Sequence, residues 1–320
     1  MSEVLDTCRK VAEKSRQVRI DREALGRFCA EWLSRGLDVP AWDSFHHFQG
    51  TPGETAAYLL LLDTLNFCFW PASGSAKWEI QYGSEWFSGY YGLALALKKA
   101  VESGFPLTDA RTLAGISPEA LKGILAGRGE LQLLPQRLSA LRELGLLLSE
   151  AYDGKARDLI ASAGGSALKL TRLLAGGLAS FRDRALYDGE EVFFYKRAQI
   201  LAADLFAAFD GKGLGDFKDM EILTAFADYK LPQVLRQAGV LVYDGPLSLK
   251  VDQGVLIDAG GPEEVEIRAN TLWAVELIRQ ELKRAGKNLR SFEIDWALWN
   301  LGQQEAFRVK PYHRTVTIFY

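Results

Sequence analysis

Phe226-Ala227-Asp228-Tyr229-Lys230-Leu231-Pro232-Gln233 is the stretch on which the reading of this chain turns. Residues 217–227 read as a helical run leading into it, and residues 232–238 as a second helix that stops at Gly239. Pro232 suits the first position of a helix, where its missing N–H is no loss. Its ring also drives Leu231 out of the helical region. Asp228, Tyr229 and Lys230 therefore fall in a break between two helices, beside an N-terminus that presents positive charge. An acid, a phenol and a base on so short a turn read either as a helical corner with solvated charges or as part of a binding site. Two further stretches favour the binding site.

The first begins Thr51-Pro52-Gly53-Glu54, a helix start with a capping Thr, a Pro in the first turn and a reciprocal Glu. The helix it opens reads through to Trp70 and is apolar nearly all round, as a buried central helix must be. Asp63, Asn66, Phe67 and Trp70 follow i, i+3, i+4, i+7 spacing, which puts them on one helical face. A carboxylate in such a helix needs a partner. That partner is either a neighbouring backbone group or a ligand, and the amide and two aromatics beside it favour the ligand. The second stretch, Val192-Phe193-Phe194-Tyr195-Lys196-Arg197-Ala198-Gln199-Ile200-Leu201, opens another strongly apolar helix in which Lys196 and Gln199 share a face. A lysine there either snorkels to water or meets an anion.

Elsewhere the periodicity is mostly helical. Val4, Leu5, Cys8 and Val11 form one stripe. Asp21 is placed to cap a helix that buries Leu25, Phe28, Cys29, Trp32 and Leu33. Residues 37–50 read as a loop holding Trp42, Phe45, His46, His47 and Phe48. With no third ligand at useful spacing, the paired histidines read as a polar, aromatic pocket wall rather than a zinc site. Residues 73–91 form an aromatic-rich turn with a short strand at 78–82, and helix resumes over 85–102. Residues 105–181 read as successive helices without a repeat. Residues 187–190 are a turn. Strand-like pieces follow at 240–243 and 254–257, then helices at 261–285 and 292–301, the last capped by Ser291 and carrying Asp295, Trp296 and Trp299. The tail, residues 311–320, alternates as a strand, and its His313 and Arg314 read as an anion site or as a solvated strand start.

The expected class is mainly α with a few short β-strands. The 320 residues permit one compact domain or two intimately packed lobes. A net charge of −3 and the lack of any long basic run argue against a grip on polymeric nucleic acid. Cys8, Cys29 and Cys68 are odd in number and lack metal-ligand spacing, which fits reduced thiols in a cytosol. The polar N-terminal segment is unlike a signal peptide, and no apolar run reaches membrane length. A soluble, cytoplasmic protein without metal or cofactor is expected.

Taken together, Leu61-Leu62-Asp63-Thr64-Leu65-Asn66-Phe67-Cys68-Phe69-Trp70, Tyr195-Lys196-Arg197-Ala198-Gln199-Ile200-Leu201, Leu223 to Gln233 and the His313-Arg314-Thr315 tail resemble the queuosine salvage protein family over nearly the whole chain. The resemblance implies a mainly helical enzyme with a corner like that of helix-hairpin-helix DNA glycosylases. It implies hydrolysis of queuosine 5′-phosphate to queuine and ribose 5-phosphate. The residues fit that chemistry. Cleaving an N-glycosidic bond develops an oxocarbenium-like sugar, which a carboxylate such as Asp228 stabilises while orienting or deprotonating water. The 7-deaza base has carbon in place of guanine N7, so help for its departure must come from elsewhere on the ring. Asp63 and Asn66 are candidates for its amide and amine edge, with Phe67 and Trp70 against its face. Lys196, Tyr229 and His313 are candidates for the phosphate. His46, Phe48, Asp295 and Trp299 complete the expected pocket. A nucleic-acid base glycosylase and a non-catalytic nucleotide- or tRNA-binding module are the rival readings. The acidic balance weighs against the first, and a buried Asp facing a cationic site against the second.

Overall fold

The computed structural model describes residues 3–36, 38–72 and 74–320. Met1, where the first helical segment was expected to start, and Leu37 and Ser73, the expected first residues of two loops, lie outside the described residues. Among the described residues there are fourteen α-helices and three two-stranded antiparallel pairs, so the chain is mainly α.

The N-terminal part holds α1 (Glu3–Lys14), β1 (Val18–Ile20) and α2 (Arg22–Arg35). Asp21 caps α2 as expected, accepting the Ala24 N–H at 2.9 Å. The central helix α3 (Pro52–Leu65) starts with the expected capping box: Glu54 accepts the Thr51 N–H at 2.8 Å. Leu59, Leu60, Leu61 and Leu62 are fully buried, and each contributes about 1.5–3 kcal/mol relative to exposure.

The middle of the chain runs β2 (Glu79–Tyr82), β3 (Glu85–Ser88), α4 (Gly89–Glu102), α5 (Ala110–Gly115), α6 (Pro118–Ile124), α7 (Leu134–Ala151), α8 (Ala156–Ser162) and α9 (Ala167–Gly177). A second hairpin, β4 (Arg184–Tyr187) and β5 (Glu190–Phe193), leads into α10 (Lys196–Ala208). After it come α11 (Lys230–Gln237), β6 (Leu241–Tyr243), α12 (Gly245–Asp252), α13 (Pro262–Arg284) and α14 (Ser291–Leu301). β6 pairs with β1.

Several expected boundaries move, and side chains explain most of the changes. Residues 217–227 are not helical beyond one 3-10 turn at Met220–Ile222. Their backbone groups are satisfied from outside. Gln199 Oε1 takes the Thr224 N–H, Asp295 Oδ1 takes the Phe226 N–H, and Arg268 Nε donates to the Ala227 carbonyl. Asp219 is withdrawn from the segment to cap α9 through the N–H groups of Ala167 and Leu168. α11 begins at Lys230, two residues before Pro232, which still sits where no intrahelical donor is needed.

α3 ends at Leu65, so Asp63, Asn66, Phe67 and Trp70 do not share a helical face. Arg137 from α7 donates to the carbonyls of Leu65, Phe67 and Cys68, and Arg197 from α10 to those of Asp63 and Thr64. The two guanidiniums cap a helix C-terminus, where positive charge is favoured. Residues 85–88 and 192–193 are strands of hairpins. The Asp188–Gly189 turn, with φ of 48° and 82°, is the left-handed pair that a two-residue hairpin needs. Residues 254–257 and the C-terminal tail form only an isolated bridge, Leu256 to Arg314, instead of strands. α12 was missed although Asp244 caps it and Pro246 lies in its first turn. α14 starts one residue early, with Glu293 accepting the Arg290 N–H rather than Ser291 capping.

Buried apolar side chains gather in two clusters. One spans α3 to α10 and the other joins the N-terminal helices to α11–α14. Phe226 belongs to the first and Ala227 to the second, and α14 gives Phe292 to the first and Ile294 and Leu298 to the second. Asp228 and Asp295 therefore stand at the seam.

Candidate active site

A cleft of about 770 Å³ opens along that seam. Asp228 is held there by the start of α11: its Oδ1 accepts the N–H groups of Lys230 at 2.8 Å and Leu231 at 2.9 Å. Lys196, at the start of α10, lines the same cleft. Both side chains are buried. Burial raises the Asp228 carboxyl pKa and Lys196 counters it; burial lowers the Lys196 pKa and Asp228 counters that. Burial outweighs the partner's charge in both, and each charge offsets part of the other's burial penalty.

One buried ion pair registers the two against each other. Asp183 Oδ2 accepts the Lys196 backbone N–H at 3.1 Å and pairs with Arg268 at 2.7 Å. Arg268 in turn holds the Ala227 carbonyl at 3.0 Å. Breaking such a pair from one side is strongly destabilising, so the Asp183–Arg268 link fixes both functional side chains. Asp295 also lines the cleft, its Oδ1 accepting the Phe226 N–H at 2.7 Å. Burial first, then the neighbouring Asp228, push its carboxyl well above the usual range.

The cleft brings together Asn66, Trp70, Lys196, Asp228, Tyr229, Asp295 and Trp299 of the residues singled out in the sequence. It does not bring His46, Phe48, Asp63, Phe67 or His313 to its surface. His46 stacks on Tyr91 at 4.1 Å and is hydrogen-bonded to Asp43. Phe48 packs on Tyr58. Asp63 is wholly buried behind the wall, 3.5 Å from Asn66. Phe67 lies under Arg137 and Arg197. His313 sits behind Tyr320, 3.1 Å from its hydroxyl, and burial lowers its pKa to about 3.

Sequence reasoning placed both histidines in a pocket wall and Trp299 in the pocket, but did not single out Tyr90, Tyr91, Ile200 or Asp204. His47, not His46, faces the cleft, with Trp42 stacked on it at 4.3 Å. Tyr90, Tyr91 and Trp299 pack edge to face as an aromatic wall. Ile200 and Asp204 continue the face of α10 that begins with Lys196; the i, i+4, i+8 spacing was the available signal. At the other end, Lys77, Lys230, Arg308 and Arg314 line the cleft, and among the described residues none of them forms an ion pair with a carboxylate. Among the described residues, no group of three His, Cys, Asp or Glu is gathered to hold a metal. No helix among them is long and apolar enough to cross a membrane.

A deep cleft of this size suits a small molecule, and a buried acid and a buried amine line it together with an aromatic wall and cations that have no carboxylate partner among the described residues. A family model described as "Queuosine salvage protein" matches residues 46–320. A protein of Sphaerobacter thermophilus named "Queuosine 5'-phosphate N-glycosylase/hydrolase" is 46% identical over 99% of this chain and 97% of its own length. Proteins of the same name from Mus musculus and Schizosaccharomyces pombe are 36% and 31% identical, over 98% and 97% of this chain and 98% and 94% of their own lengths. The chain belongs to the queuosine salvage protein family.

Proposed function

We propose that this protein hydrolyses the N-glycosidic bond of queuosine 5′-phosphate, releasing queuine and ribose 5-phosphate, and so recovers the 7-deazaguanine base for tRNA modification in the cytoplasm. The observation that carries the reading is that buried Asp228 and Lys196 line one cleft of about 770 Å³, in a chain 46% identical over 99% of its length to a relative named for that reaction.

In this reading Asp228 lies beneath the sugar C1′. Its carboxylate stabilises the oxocarbenium-like transition state and takes a proton from the attacking water. Lys196 favours the ionised form of Asp228 against the effect of burial. The ribose lies over Asp228, and the base lies along α10 between Trp70 and the Tyr90–Tyr91–Trp299 wall, with Asn66 at its polar edge. Asp295 holds the Asp228 loop in place. Tyr229 with Lys230, Arg308 and Arg314 receives the phosphate, since these cations have no carboxylate to neutralise them. Water is the only co-reactant, and no cofactor enters the balance.

The chain works as one domain, with its two apolar clusters closing on the substrate. α10, residues 209–229 and α11 are the counterpart of a helix-hairpin-helix glycosylase corner, here serving a mononucleotide and not a nucleic-acid polymer. The test is to incubate the protein with queuosine 5′-phosphate, with queuosine and with queuosine-containing tRNA, and to measure free queuine by mass spectrometry. Fastest release from the phosphate ester is expected. No release from any of the three would overturn the assignment.

A further inference from the structure

Asp204 is 5% exposed and lines the cleft. Eight residues separate it from Lys196, about 12 Å along the helix axis, which places it toward the aromatic end, away from Asp228. Its neighbour Tyr90 has a single proton, and two acceptors compete for it: His47 Nε2 at 2.7 Å and Asp204 Oδ2 at 3.4 Å.

The far side of His47 settles the direction. Its Nδ1 lies 2.6 Å from the Asp43 carbonyl oxygen, which can only accept, so Nδ1 carries the hydrogen. Burial lowers the His47 pKa to about 4, so the ring is neutral and Nε2 is an acceptor. Tyr90 therefore gives its proton to His47 and turns oxygen lone pairs toward Asp204. A carboxylate there would face them at 3.4 Å with no proton between, whereas a carboxylic acid has a proton to offer.

The other titratable groups around Asp204 are Tyr58 and Asp63 from α3, Lys196 from its own helix and Asp295 from α14. Lys196 favours the ionised form, as would a hydrogen bond donated by Tyr90 were its proton not given to His47. Burial dominates and lifts the Asp204 pKa to about 7.

We propose that Asp204 is the general acid of the reaction, held protonated by the Asp43–His47–Tyr90 chain and donating its proton to the departing base. The inference rests on the glycosidase reading above. As the C1′–N9 bond breaks, its electron pair passes to the base, where conjugation through C4, C5 and C6 carries charge to O6. The Asp204 O–H bond breaks and its proton goes to O6, leaving an Asp204 carboxylate and a neutral base tautomer. Water adds to C1′ and yields its proton to Asp228. Proton return through solvent from Asp228 to Asp204 resets the site. This route gives the base a protonation site, O6, in place of the N7 that a 7-deaza base lacks.

The test is the pH dependence of kcat/KM for queuine release by the wild-type protein and by Asp204→Asn, an isosteric change that cannot deliver a proton. The wild-type rate should fall as pH rises through about 7, because the acid form is lost. Asp204→Asn should lower kcat by about 10²–10⁴-fold, leave KM within a few-fold and abolish that alkaline limb. In the ligand-free wild type, infrared difference spectroscopy should show a protonated-carboxyl band that disappears over the same pH range and is missing in the variant. A flat wild-type profile between pH 6 and 8.5 would overturn the proposal even if the variant failed to fold. Near-normal kcat in a folded variant would overturn it while the glycosidase reading stood. A wild-type protein unable to release queuine would overturn both.

Discussion

At the scale of single residues, the site is an arrangement of buried charges, each held by named partners. Lys196 and Asp228 each oppose the effect of burial on the other. In the proposed reading the phosphate meets Lys230, Arg308 and Arg314, which line the cleft without a carboxylate partner among the described residues. Replacing Arg314 with Ala should raise KM for queuosine 5′-phosphate by about 10–150-fold, the equivalent of a charge-assisted hydrogen bond of about 1.5–3 kcal/mol, and leave KM for queuosine nearly unchanged. Steady-state kinetics on both substrates checks this, and an equal rise for both would assign Arg314 to the fold or the base. Only part of this arrangement was legible beforehand. Asp228, Lys196 and Asp295 stand out as charges in apolar surroundings, and the cleft gathers all three. His46 and His47 are adjacent and chemically identical, so only the loop geometry around Asp43 decides which one faces the cleft. Asp204 lies in the same apolar helix as Lys196 and was not singled out in the sequence.

At the scale of elements, the decisive contacts are side chains that replace helical hydrogen bonds. Arg137 ends α3 at Leu65 by taking three carbonyls the helix would otherwise have used. Phe67 is thereby turned beneath the guanidinium, and Asn66 and Trp70 line the cleft. Arg137→Leu should leave those buried carbonyls unsatisfied and cost about 3 kcal/mol, a fall in Tm of roughly 6–12 °C. Thermal unfolding measures it, and a loss under 2 °C would show that the helix end is held by other means. These caps explain the misplaced boundaries. Periodicity reports which face of a segment is apolar. It does not report an arginine 72 residues away. Local signals such as the Thr51–Glu54 capping box and the Asp21 cap were readable because both partners lie within one turn.

Across the whole molecule, the cleft sits between two apolar clusters. The mainly helical class was readable from composition and periodicity; the seam was not, because it depends on which cluster each of Phe226, Ala227 and Phe292 joins. A cleft enclosed by Trp42, Tyr91, Trp299 and Tyr312 admits a mononucleotide. Base release from intact tRNA should accordingly be at least about a hundredfold slower than from the mononucleotide, since extruding a base from a folded polymer also requires unstacking. Matching rates would show that the cleft opens to polymers.

The central claim is that the negative charge of Asp228, and not merely its shape, drives the reaction. Asp228→Asn tests it most directly, because the amide oxygen can still accept the Lys230 and Leu231 N–H groups that hold the corner together. Single-turnover kinetics on queuosine 5′-phosphate should show the chemical step slowed by about a thousandfold or more, roughly 4 kcal/mol of lost transition-state stabilisation, with substrate affinity and Tm little changed. A folded Asp228→Asn protein that turns over at close to the wild-type rate would contradict the account.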